Sequence, residues 1–312
     1  VDRMEQLTDD AGSDSSTNYY SASDTAALNQ AISDILAKIE MAGIGNTDIV
    51  DGTTNQVTTS SGAIAELLEV DTSSFKYYRS GGSYGTNQPW TGAPAATFTN
   101  GAVNWDLSEQ GVLENGVKYT VTFDVYPSQY TYDTIAKLKN GDITYASLDS
   151  EIKKYIVDNG DGSYSLRTNT NASLSWDDTR DEAGQQTSNY TNPDPVGTDA
   201  ATMSVTKAWE NELDAREVGS IDMTVLMDDG EFHKVTLSAD SDPAWTQNNI
   251  YVSPGIIKNG QALRGAEGHD FTFAELGSEQ YNWELVTPTV HPMIIDGTLT
   301  MLTLVDDAHP AP

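Results

Sequence analysis

Residues 117–125 read Val-Lys-Tyr-Thr-Val-Thr-Phe-Asp-Val, and this alternation constrains the fold more than any other stretch of the chain. Val117, Tyr119, Val121, Phe123 and Val125 share one face at a period of two, with Lys118, Thr120, Thr122 and Asp124 on the other. A helix would scatter both sets around its axis; a strand with one buried face keeps them apart. Such a strand cannot bury that face alone, so a second layer must cover it. Residues 164–176 alternate similarly, after the tight turn Asp158-Asn159-Gly160-Asp161-Gly162. Further short strands recur between turn signals at 203–209, 220–227, 233–238, 270–274, 281–286 and 298–305, a spacing that suggests a β-sandwich of immunoglobulin-like size.

Helical patterns are few. Tyr132, Ile135 and Leu138 lead to a stop at Asn140-Gly141, and Leu148, Ile152, Tyr155 and Ile156 lead to one at Asn159-Gly160. Near the start, Ser23 and Asp24 can cap a helix running to about Met41, with Leu28, Ile32, Ile35, Leu36 and Ile39 on one stripe. One amphipathic helix cannot bury that stripe, so residues 1–42 read as the tail of a domain whose other elements lie upstream. Residues 43–60, rich in Gly, Thr, Asn and Ser, read as a linker or an irregular first strand. Residues 61–180 form a β domain with a helical insert. Residues 181–202, with Pro193 and Pro195, are a second linker, and 203–312 are a second β domain.

Charge narrows the function. The chain has 312 residues, with 16 Lys+Arg against 47 Asp+Glu and a net charge of −31. Such a surface repels phosphate backbones and anionic headgroups, which argues against nucleic acid and direct membrane contact. Fifteen Tyr and six Trp supply the apolar surface of a folded protein rather than a disordered one. No apolar run reaches the roughly 18 residues of a membrane span. Cysteine is absent, so disulfides and thiolate metal sites are excluded. Both ends, Val1-Asp2-Arg3-Met4 and Ala308-His309-Pro310-Ala311-Pro312, read as cuts from a longer protein. A Cys-free, acidic, Thr/Ser/Asn/Tyr-rich composition is common among Gram-positive extracellular β proteins. A halophile enzyme would share the acidity but carry more than 20% charged residues.

Several strings mimic catalytic motifs. Gly81-Gly82-Ser83-Tyr84-Gly85 matches a nucleophile elbow, yet no strand–turn–helix context surrounds it, and a loop is the better reading. Asp158-Asn159-Gly160-Asp161-Gly162-Ser163 hints at a calcium loop but lacks the Glu at position twelve, so no cofactor is expected beyond weak calcium binding by the acidic surface. His233, His269, His291 and His309 show no metal-ligand spacing. Forty-seven acids make chance carboxylate pairs everywhere, so none marks a glycosidase. Trp90 and Tyr84, in a Gly-rich stretch, are candidates for a sugar-stacking platform.

The segment Met203-Ser204-Val205-Thr206-Lys207-Ala208-Trp209 resembles the opening strand of the Cna-B repeat of Gram-positive adhesins and pilins. Phe271-Thr272-Phe273-Ala274-Glu275-Leu276 and Tyr281-Asn282-Trp283-Glu284 resemble that module's second half, with Trp245 as its central tryptophan. Asn104-Trp105-Asp106-Leu107 through Tyr126 is similar to the domain that follows a von Willebrand factor A domain in actinobacterial, bifidobacterial-type surface proteins, and the helix at 24–41 resembles the last helix of such an A domain. The resemblance implies tandem immunoglobulin-like, Cna-type β-sandwiches preceded by the terminal helix of a truncated α/β domain. It also implies a non-enzymatic, cell-wall-anchored, pilin-like stalk. An upstream domain would meet a host matrix protein or glycan, and a downstream anchor would meet peptidoglycan. The stretch that resembles the A domain's tail, residues 1–42, carries no Asp-x-Ser-x-Ser metal motif, Asp14-Ser15-Ser16 having the wrong spacing.

Cna-B modules often carry an internal lysine–Asn or lysine–Asp amide bond assisted by a buried acid. Burial lowers the lysine pKa and raises the acid's, so a neutral amine can attack while the acid polarises the carbonyl and moves protons. Lys207 suits the amine, sharing a strand face with Met203 and Val205. Glu284 is the nearest match to the acid, and Asp306 is the acceptor unless the last strand lies beyond Pro312. In the middle domain Lys76, Asp124, Asn169 and Asn171 have the right types without a constrained placement. The alternative function is a carbohydrate-binding or accessory module of a secreted glycan-degrading enzyme.

Overall fold

The computed structural model describes residues 44–114, 116–178, 184–209, 219–262, 267–275, 289–296 and 298–304. The helix expected at 24–41, the strand at 281–286, and residues Glu284, Asp306 and His309 lie outside them. The described chain is mainly β, with antiparallel pairing in most ladders and one short α-helix. It divides into two compact units, one drawn from residues 1–126, 150–157 and 165–197, the other from 127–149, 158–164 and 198–312.

In the first unit the central strand is Ile44–Thr53, which pairs antiparallel with Asn169–Asp178 on one side and Ala102–Asp106 on the other. Gln185–Tyr190 and Thr97–Thr99 complete a five-stranded sheet. A second sheet holds Tyr84–Pro89, Leu68–Gly81 and Val117–Pro127. Val117 and Tyr119 are buried, and Val121 and Phe123 pack on the same core, as the alternation predicts. That core is aromatic. The Trp105 ring is 1% exposed, lies 6.1 Å from Trp90 and 5.8 Å from Tyr77, and its Nε1 donates to the Pro94 carbonyl at 2.9 Å.

Of the two readings of residues 43–60, a linker or a first strand, the strand holds: ten of them form Ile44–Thr53. Its inward positions include Thr47, Asp51 and Thr53 beside Ile49, so the apolar alternation that marks a half-buried strand is diluted. The second linker likewise contains the strands Gln185–Tyr190 and Val196–Thr198. The helix expected at 148–156 is two short 3₁₀ turns, Tyr145–Ser147 and Ile152–Lys154, followed by the strand Ile156–Asp158. Its apolar residues are still used, Ile152 and Ile156 being 1% and 0% exposed.

The second unit is built on a sheet ordered Gly230–Ser238, Ser220–Met227, Phe271–Glu275, Thr289–Ile295, Gly255–Lys258 and Gln261–Ala262, with Thr298–Leu304 also pairing Thr289–Ile295. Ala201–Thr206 pairs with Thr246–Val252. Met203, Ile221, Val225, Leu237, Ile250 and Phe271 are among the residues of its core. The α-helix Gln129–Asn140 belongs to this unit rather than to the β domain that precedes it in sequence, because Ile135 and Ala136, both 0% exposed, join that core. The Ser128 hydroxyl accepts from Thr131 N at 3.2 Å to start the helix, and Gly141, at φ 80°, ends it.

Candidate functional site

The most strongly perturbed carboxyl among the described residues lies inside the first unit. Asp51 follows Ile49 by two along the central strand, so both side chains face the core. Its cross-strand neighbours Val103 and Ala172 are 2% and 4% exposed, and Asp51 itself is 8% exposed. Burial pushes its carboxyl up to about 7, partly offset by a hydrogen bond that Asn169 Nδ2 donates to Asp51 Oδ1. Near neutral pH the group is thus poised between a neutral acid that donates and a carboxylate that only accepts.

A register shift brings Asn169 there. Gly52 pairs with Asn171, but Thr53 pairs with Asn169, so Thr170 is an extra residue. This bulge reverses the facing of the strand's first residues. Asn169 is buried at 6%, whereas Asn171 is exposed. Gly52 permits the close approach: a Cβ there would lie 2.5 Å from Thr170 Oγ1 and 2.6 Å from Asn171 Oδ1. Three polar side chains nearby are bonded within the fold. Thr168 Oγ1 donates to Asn169 Oδ1 at 2.6 Å, Thr53 Oγ1 to the Gly101 carbonyl at 2.9 Å, and Asn55 Nδ2 to the Leu68 carbonyl at 2.7 Å.

Acid and carboxamide thus meet, but the expected amine does not. Lys76 and Asp124 are exposed on their strands and take no part. No ammonium figures among the causes that set the Asp51 carboxyl, which are burial and Asn169 alone. Lys118 is buried at 8% between Val117 and Tyr119 on its strand, on the face opposite theirs by alternation. In the second unit Lys207 is half-buried rather than sunk in the core. It lies one residue past the end of Ala201–Thr206, and its Nζ sits 5.1 Å over the Trp209 ring.

The proposed sugar platform is not a free aromatic surface. Trp90 is 7% exposed within the core. The Arg79 guanidinium lies 3.9 Å from the centroid of Tyr84 and 4.8 Å from that of Trp90, and its Nη1 donates to Tyr84 Oη at 2.6 Å. Both rings thus already stack on the Arg79 guanidinium. The 158–163 turn closes on itself, Asp158 Oδ1 accepting from Gly160 N at 2.8 Å and Asp161 Oδ1 from Ser163 N at 2.9 Å. Among the described residues no group of three His, Asp or Glu side chains is placed to hold a metal ion.

Asp51 is not among the residues that the sequence singles out. The available signal is a charged residue two positions after Ile49, but it falls in a stretch that reads as turn-like.

Among solved structures, the pilus adhesin SpaC from Lactobacillus rhamnosus GG, in its open conformation, is similar at a TM-score of 0.40 and 13% identity. The match covers 83% of this chain and 25% of that one, so the chain spans about a quarter of the adhesin's length. No curated protein matches in sequence. The family described as a domain of unknown function (DUF7604) matches residues 29–198, more than half of the chain, and the chain belongs to that family.

Proposed function

We propose that this chain is a non-enzymatic, load-bearing β module of a Gram-positive cell-surface adhesin. Its role is to hold an upstream adhesive domain away from the wall, toward a host matrix protein or glycan. One observation carries the reading: the most perturbed acid described, Asp51, and its carboxamide partner are sealed between strands at 8% and 6% exposure. Chemistry placed there acts on the fold and not on a substrate. In the described form the pair is a hydrogen-bonded pin between neighbouring strands. The same acid and carboxamide are what an internal lysine amide requires.

Replacing Asn169 with Ala tests this. The loss leaves a buried carboxyl unpaired, and should cost the first unit about 1–3 kcal/mol in a denaturant titration. Equal stability of the variant and the parent would sink the reading. Intact mass distinguishes the covalent form, which is one ammonia lighter than the sequence and regains the full mass of its own sequence in Asn169→Ala.

A further inference from the structure

The Gln129–Asn140 helix is fastened to its unit by polar anchors at both ends. At the C-terminal end Asn140 Nδ2 donates to the Tyr251 carbonyl at 2.8 Å and Asn140 Oδ1 accepts from Tyr251 N at 2.9 Å. Asp142 Oδ1 lies 2.8 Å from His233 Nδ1, and Lys139 pairs with Asp199. At the N-terminal end Gln129 Oε1 accepts from Gly268 N at 2.9 Å, and Asp133 Oδ2 lies 3.2 Å from His269 Nε2.

His269 is held from its other side too, with Nδ1 2.5 Å from Asp228 Oδ2. An ionised carboxylate only accepts, so both contacts are satisfied only when the ring carries both protons. His291 repeats the arrangement: Nδ1 is 2.6 Å from Asp270 Oδ1 and Nε2 is 3.2 Å from the Glu267 carbonyl. The two rings are joined through Asp228, whose Oδ1 accepts from Asp270 N at 3.0 Å. The groups facing His269 are Asp133 from the helix, Asp228 from the turn after Ser220–Met227, and the Phe271 ring, edge-on at 6.4 Å. Those facing His291 are Asp270 and the Glu267 carbonyl, with Leu302 across the ladder.

We propose that His269, supported by His291, is a proton-operated latch for the first turn of this helix. It is closed when the His269 imidazole is doubly protonated and released as that ring loses a proton. A neutral ring has one N–H, so either Asp133 or Asp228 would then face a bare ring nitrogen. The shifts agree in direction. The hydrogen bond to Asp133 holds His269 above its ordinary value, against the opposing effect of burial. Burial would raise Asp133, but the bond and charge of His269 hold it below the usual carboxylate range. A His raised on folding contributes stability fully present below its unfolded value near 6.5, and loses it as pH rises through the folded value. The latch therefore opens toward alkaline pH.

The test uses the whole chain labelled with ¹⁵N-histidine, with amide exchange of residues 132–135 read in parallel. At pH 6 both nitrogens of His269 are expected to be protonated. Exchange protection of the first turn, corrected for intrinsic rates, should fall by up to about tenfold per pH unit above the His269 midpoint. His269→Gln should abolish that pH dependence. Asp133→Asn, which keeps the helix sequence otherwise intact, should lower the His269 midpoint and flatten the exchange profile. A singly protonated His269 ring at pH 6, or a first-turn profile unchanged in both variants, would overturn the proposal.

Discussion

The substitution Asp51→Asn should change the shape of the stability–pH curve of the first unit. In the parent, burial raises this carboxyl to about 7, against an unfolded value near 3.9. Between those values the native state holds a proton that the unfolded state has released, so stability falls as pH rises. About 3 pKa units at about 1.4 kcal/mol each amount to about 4 kcal/mol, fully lost above about pH 7. The introduced carboxamide is nearly isosteric with the acid, stays neutral, and can still face the Asn169 side chain. The variant should therefore hold its stability where the parent loses it, gaining about 4 kcal/mol on the parent between about pH 4 and pH 8. Denaturant titrations followed by tryptophan fluorescence measure this, because Trp90 and Trp105 lie in the same core. The other titrating groups cancel in the difference between the two curves. Parallel curves across that range would refute the reasoning, since they would mean that Asp51 titrates alike in both states.

Three further substitutions probe the packing. Gly52→Ala forces a Cβ to within 2.6 Å of the Thr170 and Asn171 side chains and should destabilise the first unit by about 1–3 kcal/mol by denaturant titration. Trp105→Ala empties the centre of the aromatic core and should cost about 3–5 kcal/mol, read by calorimetry as loss of the first unit's transition. Ser128→Ala removes the helix cap and should cost about 1 kcal/mol in the second unit, with faster amide exchange at Thr131.

What the residues disclose about the fold depends on whether a local period survives. Val117–Pro127 was legible because its inward side chains are nearly all large and apolar. The Gln129–Asn140 helix was legible from its apolar spacing and its Asn-Gly stop, but nothing local told which core Ile135 would enter. The Ile44–Thr53 strand was obscured because Thr47, Asp51 and Thr53 put polar groups on its inward face beside Ile49, and that same departure marks the site. Asn169 and Asn171 looked equivalent as letters; one extra residue in the ladder separates them into a buried and an exposed side chain. The histidine contacts span 91 and 136 residues of sequence, beyond any motif.

Single-molecule pulling on the full chain, tethered by its two ends, tests the load-bearing role most directly. Forced unfolding reports the barrier itself, and the account places Asp51 and Asn169 on adjacent strands of the sheet built on Ile44–Thr53. The expected result is a distinct first-unit rupture whose force drops in Asn169→Ala while the second-unit rupture stays put. A first unit that yields at the same force in both proteins would contradict it.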